Sequence, residues 1–298
     1  MLNVINLKKK FKENVVLNDV SINIKRGEIV AYLGSNGAGK TTTIKCICGL
    51  NTPTGGRVEL NNNTIGVVFD ENGLYPLLTA YQNLLFFAKL SENKSQEINI
   101  EEMLRIVGLE DVMYKRVKNF SKGMKRRVAL ARVLVWNPQI LILDEPFDGL
   151  DVSSNNYMIN FLKNWVKERN RCIMFSSHNM GEIENFCDRV IVLNDGKIIE
   201  DDSVCGLMRK NILGTEVCVR HDSDLIKSME ILESLTNCNN IQSNGNCIFI
   251  PHRQAYNKEI HDLFVKNNIS FDELSIRYSS LEDIYIELTS GKGDKHEQ

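Results

Sequence analysis

The stretch Gly34-Ser35-Asn36-Gly37-Ala38-Gly39-Lys40-Thr41-Thr42 constrains this chain more than any other. It satisfies the pattern Gly-x-x-x-x-Gly-Lys-[Ser/Thr] at every fixed position. Ile29–Leu33 before it reads as a buried strand, and Thr41–Leu50 after it reads as a helix. Strand, loop and helix in that order form the context in which such a loop holds phosphate; a chance glycine-rich turn is the competing reading. The glycines free the backbone to aim successive N–H groups into one concave nest. The helix N-terminus adds partial positive charge at the same place. Lys40 then suits the β- and γ-phosphates of a nucleoside triphosphate, and the Thr41 hydroxyl suits a bound Mg²⁺.

Composition bounds what can surround that loop. A length of 298 residues suits one large domain or two unequal ones. A formal charge of −2 counts against a nucleic-acid surface. No apolar run approaches the roughly 18 residues a bilayer span needs, and the best candidate, Val128–Trp136, carries Arg132. The amino terminus has no apolar segment after its lysine cluster, so no signal peptide is expected. Cysteines 46, 48, 172, 187, 205, 218, 238 and 247 show no paired C-x-x-C spacing. They are expected to be reduced thiols packed as small hydrophobes, not disulfides or zinc ligands.

Along the chain, Val4–Leu7, Val20–Lys25 and Ile29–Leu33 read as strands, with a turn at Arg26-Gly27-Glu28. Val58–Leu60 and Ile65–Phe69 are further strands. From Tyr81 to Trp136 the apolar spacing is helical, carried by Leu84, Leu85 and Ala88, then Met103, Leu104 and Val107, then Val128, Leu130, Ala131 and Leu134. The polar linker Ser91–Asn99 separates the first two of these helices. Ile140–Leu143 is four aliphatics in a row, as in a parallel strand buried on both faces. A helix over 153–168, a strand at Cys172–Phe175, a helix at Asn179–Cys187 and a hairpin around Asn194-Asp195-Gly196 complete a layered α/β unit. Composition shifts near Ser203–Thr215, and a β-α-β-β-α-β order follows to about residue 276. A last helix is expected over 281–289, and Gly291–Gln298 reads as a disordered tail.

Asp144 and Glu145 end the aliphatic strand, at the edge where open α/β sheets bind ligands. Two acids beside bound phosphates call for Mg²⁺, with Asp144 as its partner and Glu145 left to orient and deprotonate water. A helix cap is the bland alternative, weakened by Pro146 directly after. His178 ends the neighbouring strand; from position it is equally a structural histidine or a donor to the γ-phosphate. Phe11, between the first two strands, is either core or a ring for adenine stacking.

Phe11, Gly34–Thr42, Ser121-Lys122-Gly123-Met124, Ile140–Glu145, Gly149-Leu150-Asp151 and Ser177-His178 occur in that order. Together they resemble the nucleotide-binding subunit of an ATP-binding cassette (ABC) transporter, over about the first 205 residues. The resemblance implies an α/β fold: a P-loop NTPase core with an antiparallel β subdomain and a helical subdomain, plus a small C-terminal α+β domain. The implied boundaries are 1–205 for the ATPase domain, about 72–138 for its helical part, and 206–290 for the accessory domain. It implies ATP and Mg²⁺ as ligands, Glu145 and His178 as catalytic residues, and Phe11 with Gly34–Thr42 as the nucleotide site. Thr41, Asp70 and Asp144 would face the metal, and Asp151 would be the D-loop aspartate. Two copies would pair head-to-tail, so that Ser121, Lys122, Gly123 and Met124 of one close over the ATP of the other. A separate membrane-spanning permease, and a place on the cytoplasmic face of a bacterial-type membrane, are implied as well; nucleic acid is not an expected partner. The expected permease contact is Asn72–Tyr81.

Two departures stand out. Phe-Ser-Lys-Gly-Met replaces the commoner Leu-Ser-Gly-Gly-Gln, a variant that resembles exporters of drugs, antibiotics or bacteriocins. Its basic run Met124-Lys125-Arg126-Arg127 could suggest nucleic acid, but is short and embedded in a helix, which favours a local role. Asp70 stands where the family usually has the Q-loop glutamine. An acid there still offers Mg²⁺ a hard oxygen, and would make nucleotide binding unusually dependent on the ion. A soluble cassette acting on ribosomes or DNA fits less well, given one phosphate loop and no sustained heptads, as does a non-hydrolysing sensor. The accessory domain reads as a dimerisation or stability element, or a regulator.

Overall fold

The computed structural model describes residues 1–69, 73–90, 99–168, 170–177, 179–236, 241–251 and 257–290. Asp70, Asn72, His178, Cys238 and the expected tail 291–298 lie outside the described residues. The chain divides into two compact units, Met1–Asp202 and Ser203–Gln298.

The first unit opens with β1 (Leu2–Phe11), β2 (Asn14–Ile24) and β3 (Ile29–Gly34), followed by α1 (Lys40–Ile47). Then come β4 (Gly55–Glu59), β5 (Ile65–Val68), α2 (Ala80–Lys89), α3 (Ile100–Ile106) and α4 (Lys122–Leu134). It closes with β6 (Ile140–Asp144), α5 (Val152–Glu168), β7 (Cys172–Ser176), α6 (Met180–Phe186), β8 (Arg189–Asn194) and β9 (Lys197–Ser203). β2, β1 and β4 form a three-stranded sheet in that order, antiparallel throughout. β1 and β2 are about twice as long as their apolar patterns predict. Asn6 (φ 48) and Asp19 (φ 67) break the alternation with left-handed backbone, and the Asn6 amide donates to Asp19 Oδ1 at 2.7 Å. Each strand therefore changes which side chains face inward partway along, and a strict period of two hides half of it.

The larger sheet has the order β5-β6-β7-β3-β8-β9. Its first five strands run parallel. Ile29–Leu33, Ile140–Leu143 and Cys172–Ser176 are buried along their whole lengths, as four or five apolar residues in a row require. Parallel strands put their carboxyl ends on one edge, so Gly34, Asp144 and Ser176 emerge together. Just beyond β6, Phe147 packs edge-on against Phe175 and Phe186, at centroid distances of 6.2 and 5.2 Å. At the opposite edge Arg189 donates to Asp201 Oδ1 (2.5 Å), Glu28 Oε1 (3.0 Å) and the Asn23 carbonyl (2.9 Å), stapling three segments.

α2, α3 and α4 pack on one another, and α4 also packs on β5. The buried Asn83 amide organises the approach to α2: it donates to the Tyr75 and Thr79 carbonyls and accepts the Tyr75 N–H. The basic run of α4 is spent locally. Arg126 donates to the Phe69 carbonyl, and Arg127 to those of Val107 and Gly108.

The second unit holds α7 (Val204–Lys210), β10 (Ile212–Val219), α8 (Leu225–Thr236), β11 (Gln242–Asn244) and β12 (Cys247–Pro251). α9 (Asn257–Lys266), β13 (Phe271–Tyr278) and α10 (Leu281–Thr289) complete it. The sheet order is β11-β12-β10-β13, antiparallel at every pairing. Val217, Val219, Ile248 and Ile250 point to one face and bury against Leu232, Ile260 and Phe264. On the other face Cys218 and Cys247 are bonded as a disulfide, which corrects the expectation that all cysteines are reduced. They lie 29 residues apart, a spacing without signal, yet face each other directly across the β10–β12 pair with Cα atoms 3.9 Å apart. The other described cysteines, 46, 48, 172, 187 and 205, are free thiols. Burial pushes Cys48, Cys172 and Cys187 up to about 12, so they behave as the small hydrophobes expected.

Candidate active site

Gly39 caps the start of α1, and its φ of 113° and lack of any side-chain cap leave the first helical N–H groups to an anion. A side chain at Gly39 would also bring a Cβ within 2.7 Å of Leu17 Cδ2. Gly34 is needed for a different reason. Its backbone is ordinary, but a Cβ there would fall 2.5 Å from the Leu193 carbonyl oxygen of β8. The loop therefore sits tightly on β8 at one end and on β2 at the other.

Between this loop and the end of β6 lies a cavity of about 690 Å³. One wall is the loop and helix start: Ser35, Asn36, Gly37, Gly39, Lys40, Thr41 and Thr42. Facing it are Asp144 and Glu145, with Val16, Lys45, Leu50 and Phe69 completing the rim. Lys40 Nζ donates to the Gly34 and Ser35 carbonyls, at 2.5 and 3.2 Å. Burial holds the Lys40 ammonium below its ordinary value, and the Glu145 and Asp144 carboxylates pull it back up. Ala38 turns into the core instead. Val16, Lys45, Leu50 and Phe69 are rim residues that motif spacing could not indicate, since each reaches the cavity only through the fold.

The acids are held by the next strand. Ser176, fully buried at the end of β7, lies opposite Asp144 in register. Its hydroxyl donates to Asp144 Oδ1 at 2.6 Å and accepts the Glu145 N–H at 3.1 Å. Glu145 itself has φ 50°, where non-glycine residues are uncommon. On either side of position 178, Ser177 donates to Glu182 Oε2 (2.8 Å), and Asn179 donates through its backbone to Ser177 Oγ (3.1 Å). Asn155 of α5 donates to the other Glu182 oxygen at 3.4 Å, so α6 ties the end of β7 to α5.

The remaining motif residues lie elsewhere. Phe11 is exposed at the end of β1, with Lys9 Nζ 4.6 Å from its ring centroid, and does not line the cavity. Ser121 caps α4 by accepting the Met124 N–H at 3.2 Å. Lys122 pairs with Asp148 at 2.6 Å, and Gly123 packs so closely that a Cβ would lie 2.6 Å from the Gly149 carbonyl. Ser121–Met124 thus lie against the loop that leads to Asp151 and line no part of the cavity of their own chain. Ser154 donates to Asp151 through its amide and its hydroxyl, which holds that carboxyl below the ordinary range. Arg126 and Arg132 of α4 grip the carbonyls of Phe69 and Gly73, on either side of the segment that contains Asp70.

A phosphate loop on β3, an acid pair ending β6 and a helical insertion between them define a P-loop nucleoside triphosphatase of the cassette type. Residues 17–148 match the ABC transporter family. The chain is 34% identical to the bacitracin transport ATP-binding protein BcrA of Bacillus licheniformis, over 96% of both chains. It is 40% identical to the ABC transporter ATP-binding protein NatA of Bacillus subtilis, over 63% of this chain and 82% of that one. A dimeric ATP-binding cassette solved in a post-hydrolysis state with ADP and Pi superposes with a TM-score of 0.63 at 29% identity, over 68% of this chain and 99% of that one. The chain belongs to the ABC transporter family, as an ATP-binding and ATP-hydrolysing subunit. No helix among its described residues is long and apolar enough to cross a membrane.

Proposed function

We propose that this chain is the Mg²⁺-dependent motor of an exporter, hydrolysing ATP between two copies of itself to move a separate membrane-spanning permease. The observation that carries the reading is the single cavity bounded by Lys40 and Thr41 on one side and Asp144 and Glu145 on the other. Gly34–Thr42 cradle the triphosphate, and Lys40 exchanges its two carbonyl partners for phosphate oxygens. Glu145 orients and deprotonates the attacking water, a role worth about 10²–10⁴ in rate. His178 donates to the γ-phosphate.

The residues present suit Mg²⁺. A threonine hydroxyl and a carboxylate at the phosphate edge are hard oxygen donors, and Asp70, which lies outside the described residues, would offer a third. Mg²⁺ keeps several waters and takes few protein ligands beside phosphate oxygens. Bound there, the ion would neutralise the developing phosphate charge. Phe11, exposed outside the cavity lining, is assigned to adenine stacking, and Asp151 and Ser121–Met124 to the nucleotide of the second copy.

The dimeric cassette with ADP and Pi supports pairing of two copies, and the full-length likeness to a bacitracin transport protein supports an antibiotic-like cargo. The chain then works as a peripheral subunit on the cytoplasmic face. Exposed Tyr75 and Leu77, in the segment 72–81, support that stretch as the permease contact. Residues 206–290 form an accessory domain that stabilises the assembly. Glu145→Gln should cut phosphate release by roughly 10²–10⁴ while ATP still binds and a two-copy species accumulates on size exclusion. Unchanged turnover in that variant, or full turnover in EDTA, would sink the reading.

A further inference from the structure

We propose that Ser176 is a positioning residue that sets the two acids in register with each other. The inference rests on the assignment of Asp144 and Glu145 above. A serine hydroxyl at the end of Cys172-Ile173-Met174-Phe175 is fully buried, and a buried hydroxyl is costly unless hydrogen-bonded. Both of its bonds go to the acid pair. The donated one, to Asp144 Oδ1, fixes the rotation of that carboxylate. The accepted one, from the Glu145 N–H, supports a backbone conformation that is uncommon for a non-glycine residue.

A serine whose only task was to satisfy itself could bond any carbonyl of its neighbours. This one spans two strands to touch consecutive acids, and Phe147, wedged against Phe175 and Phe186, anchors the chain immediately beyond them. One oxygen therefore bonds both the carboxylate of Asp144 and the backbone that aims Glu145. Outer hydrogen-bond partners of this kind typically cost 10–100-fold in metal affinity or activity when removed.

The test uses the full chain with Ser176→Thr and Ser176→Val, which have the same shape and differ by the hydroxyl. Ser176→Ala, smaller than serine, covers the case in which neither larger side chain is accommodated. Four quantities are measured: affinity for a non-hydrolysable ATP analogue in EDTA, the Mg²⁺ concentration that half-saturates the metal-dependent gain in that affinity, kcat, and melting temperature. Ser176→Val and Ser176→Ala should each raise the Mg²⁺ requirement and lower kcat by about 10–100-fold, with affinity in EDTA within about twofold of the parent. Ser176→Thr should stay close to the parent in both. Equal Mg²⁺ requirements and kcat values in the Thr and Val variants, or an Ala variant like the parent, would overturn the proposal. Asp144→Asn and Glu145→Gln run alongside: if they too behave like the parent, it is the assignment of the acid pair that fails.

Discussion

The two units of this chain are both layered α and β structure, yet they aim their strands differently. In the first, parallel strands deliver Gly34, Asp144 and Ser176 to a common edge, where one cavity collects them. In the second, neighbouring strands run in opposite directions, so their carboxyl ends divide between two edges. Its polar side chains instead pair across exposed faces, as Arg220 does with Asp272 and Arg277 with Glu216. Strand direction decides whether strand ends gather on one edge or divide between two.

The sharpest way to break that contrast is to look for a second-unit substitution as damaging to turnover as one in the loop. Lys40→Ala should cost at least about 10²-fold in ATP turnover, measured by phosphate release, because it removes the cation aimed at the phosphates. Phe264→Ala, in the core of the second unit, should cost that unit about 3–5 kcal/mol, read as faster hydrogen exchange in β10 and β12. Turnover should hold within about twofold, since every residue lining the nucleotide cavity belongs to the first unit. Replacing Cys218 and Cys247 by serine together should remove about 3 kcal/mol from the same unit in chemical denaturation, as expected for opening a loop of this size. Arginine pairs sharpen the contrast at the small end. Arg189→Met should cost the first unit about 2 kcal/mol, because it strips hydrogen bonds from two partly buried carboxylates. Arg220→Met, breaking a pair more than half exposed on both sides, should cost the second unit less than about 1 kcal/mol.

Much of the first unit was legible before its structure. Ile140–Asp144 matches the expected strand with its acid at the end, because four aliphatics leave no alternative to burial on both faces. The β-α-β-β-α-β order of residues 212–278 could be read from the chain as well. β1 and β2 were half hidden, because Asn6 and Asp19 turn the backbone where periodicity expects continuity. The Cys218–Cys247 bond was missed, since no local signal relates residues 29 apart. Ser176 was visible as a residue but not as a partner: its role exists only once β7 lies beside β6.

The sequence by itself determined that a strand, a glycine loop and a helix would make a phosphate cradle, because that requirement is local and written in adjacent residues. It also determined that two acids would end a buried strand. Only the tertiary structure decided that the cradle and the acids share one cavity, that a buried hydroxyl joins the acids, and that two distant cysteines meet. Those are contacts between strands brought together by parallel or antiparallel pairing, and pairing register is a property of the packed sheet and not of any stretch of chain.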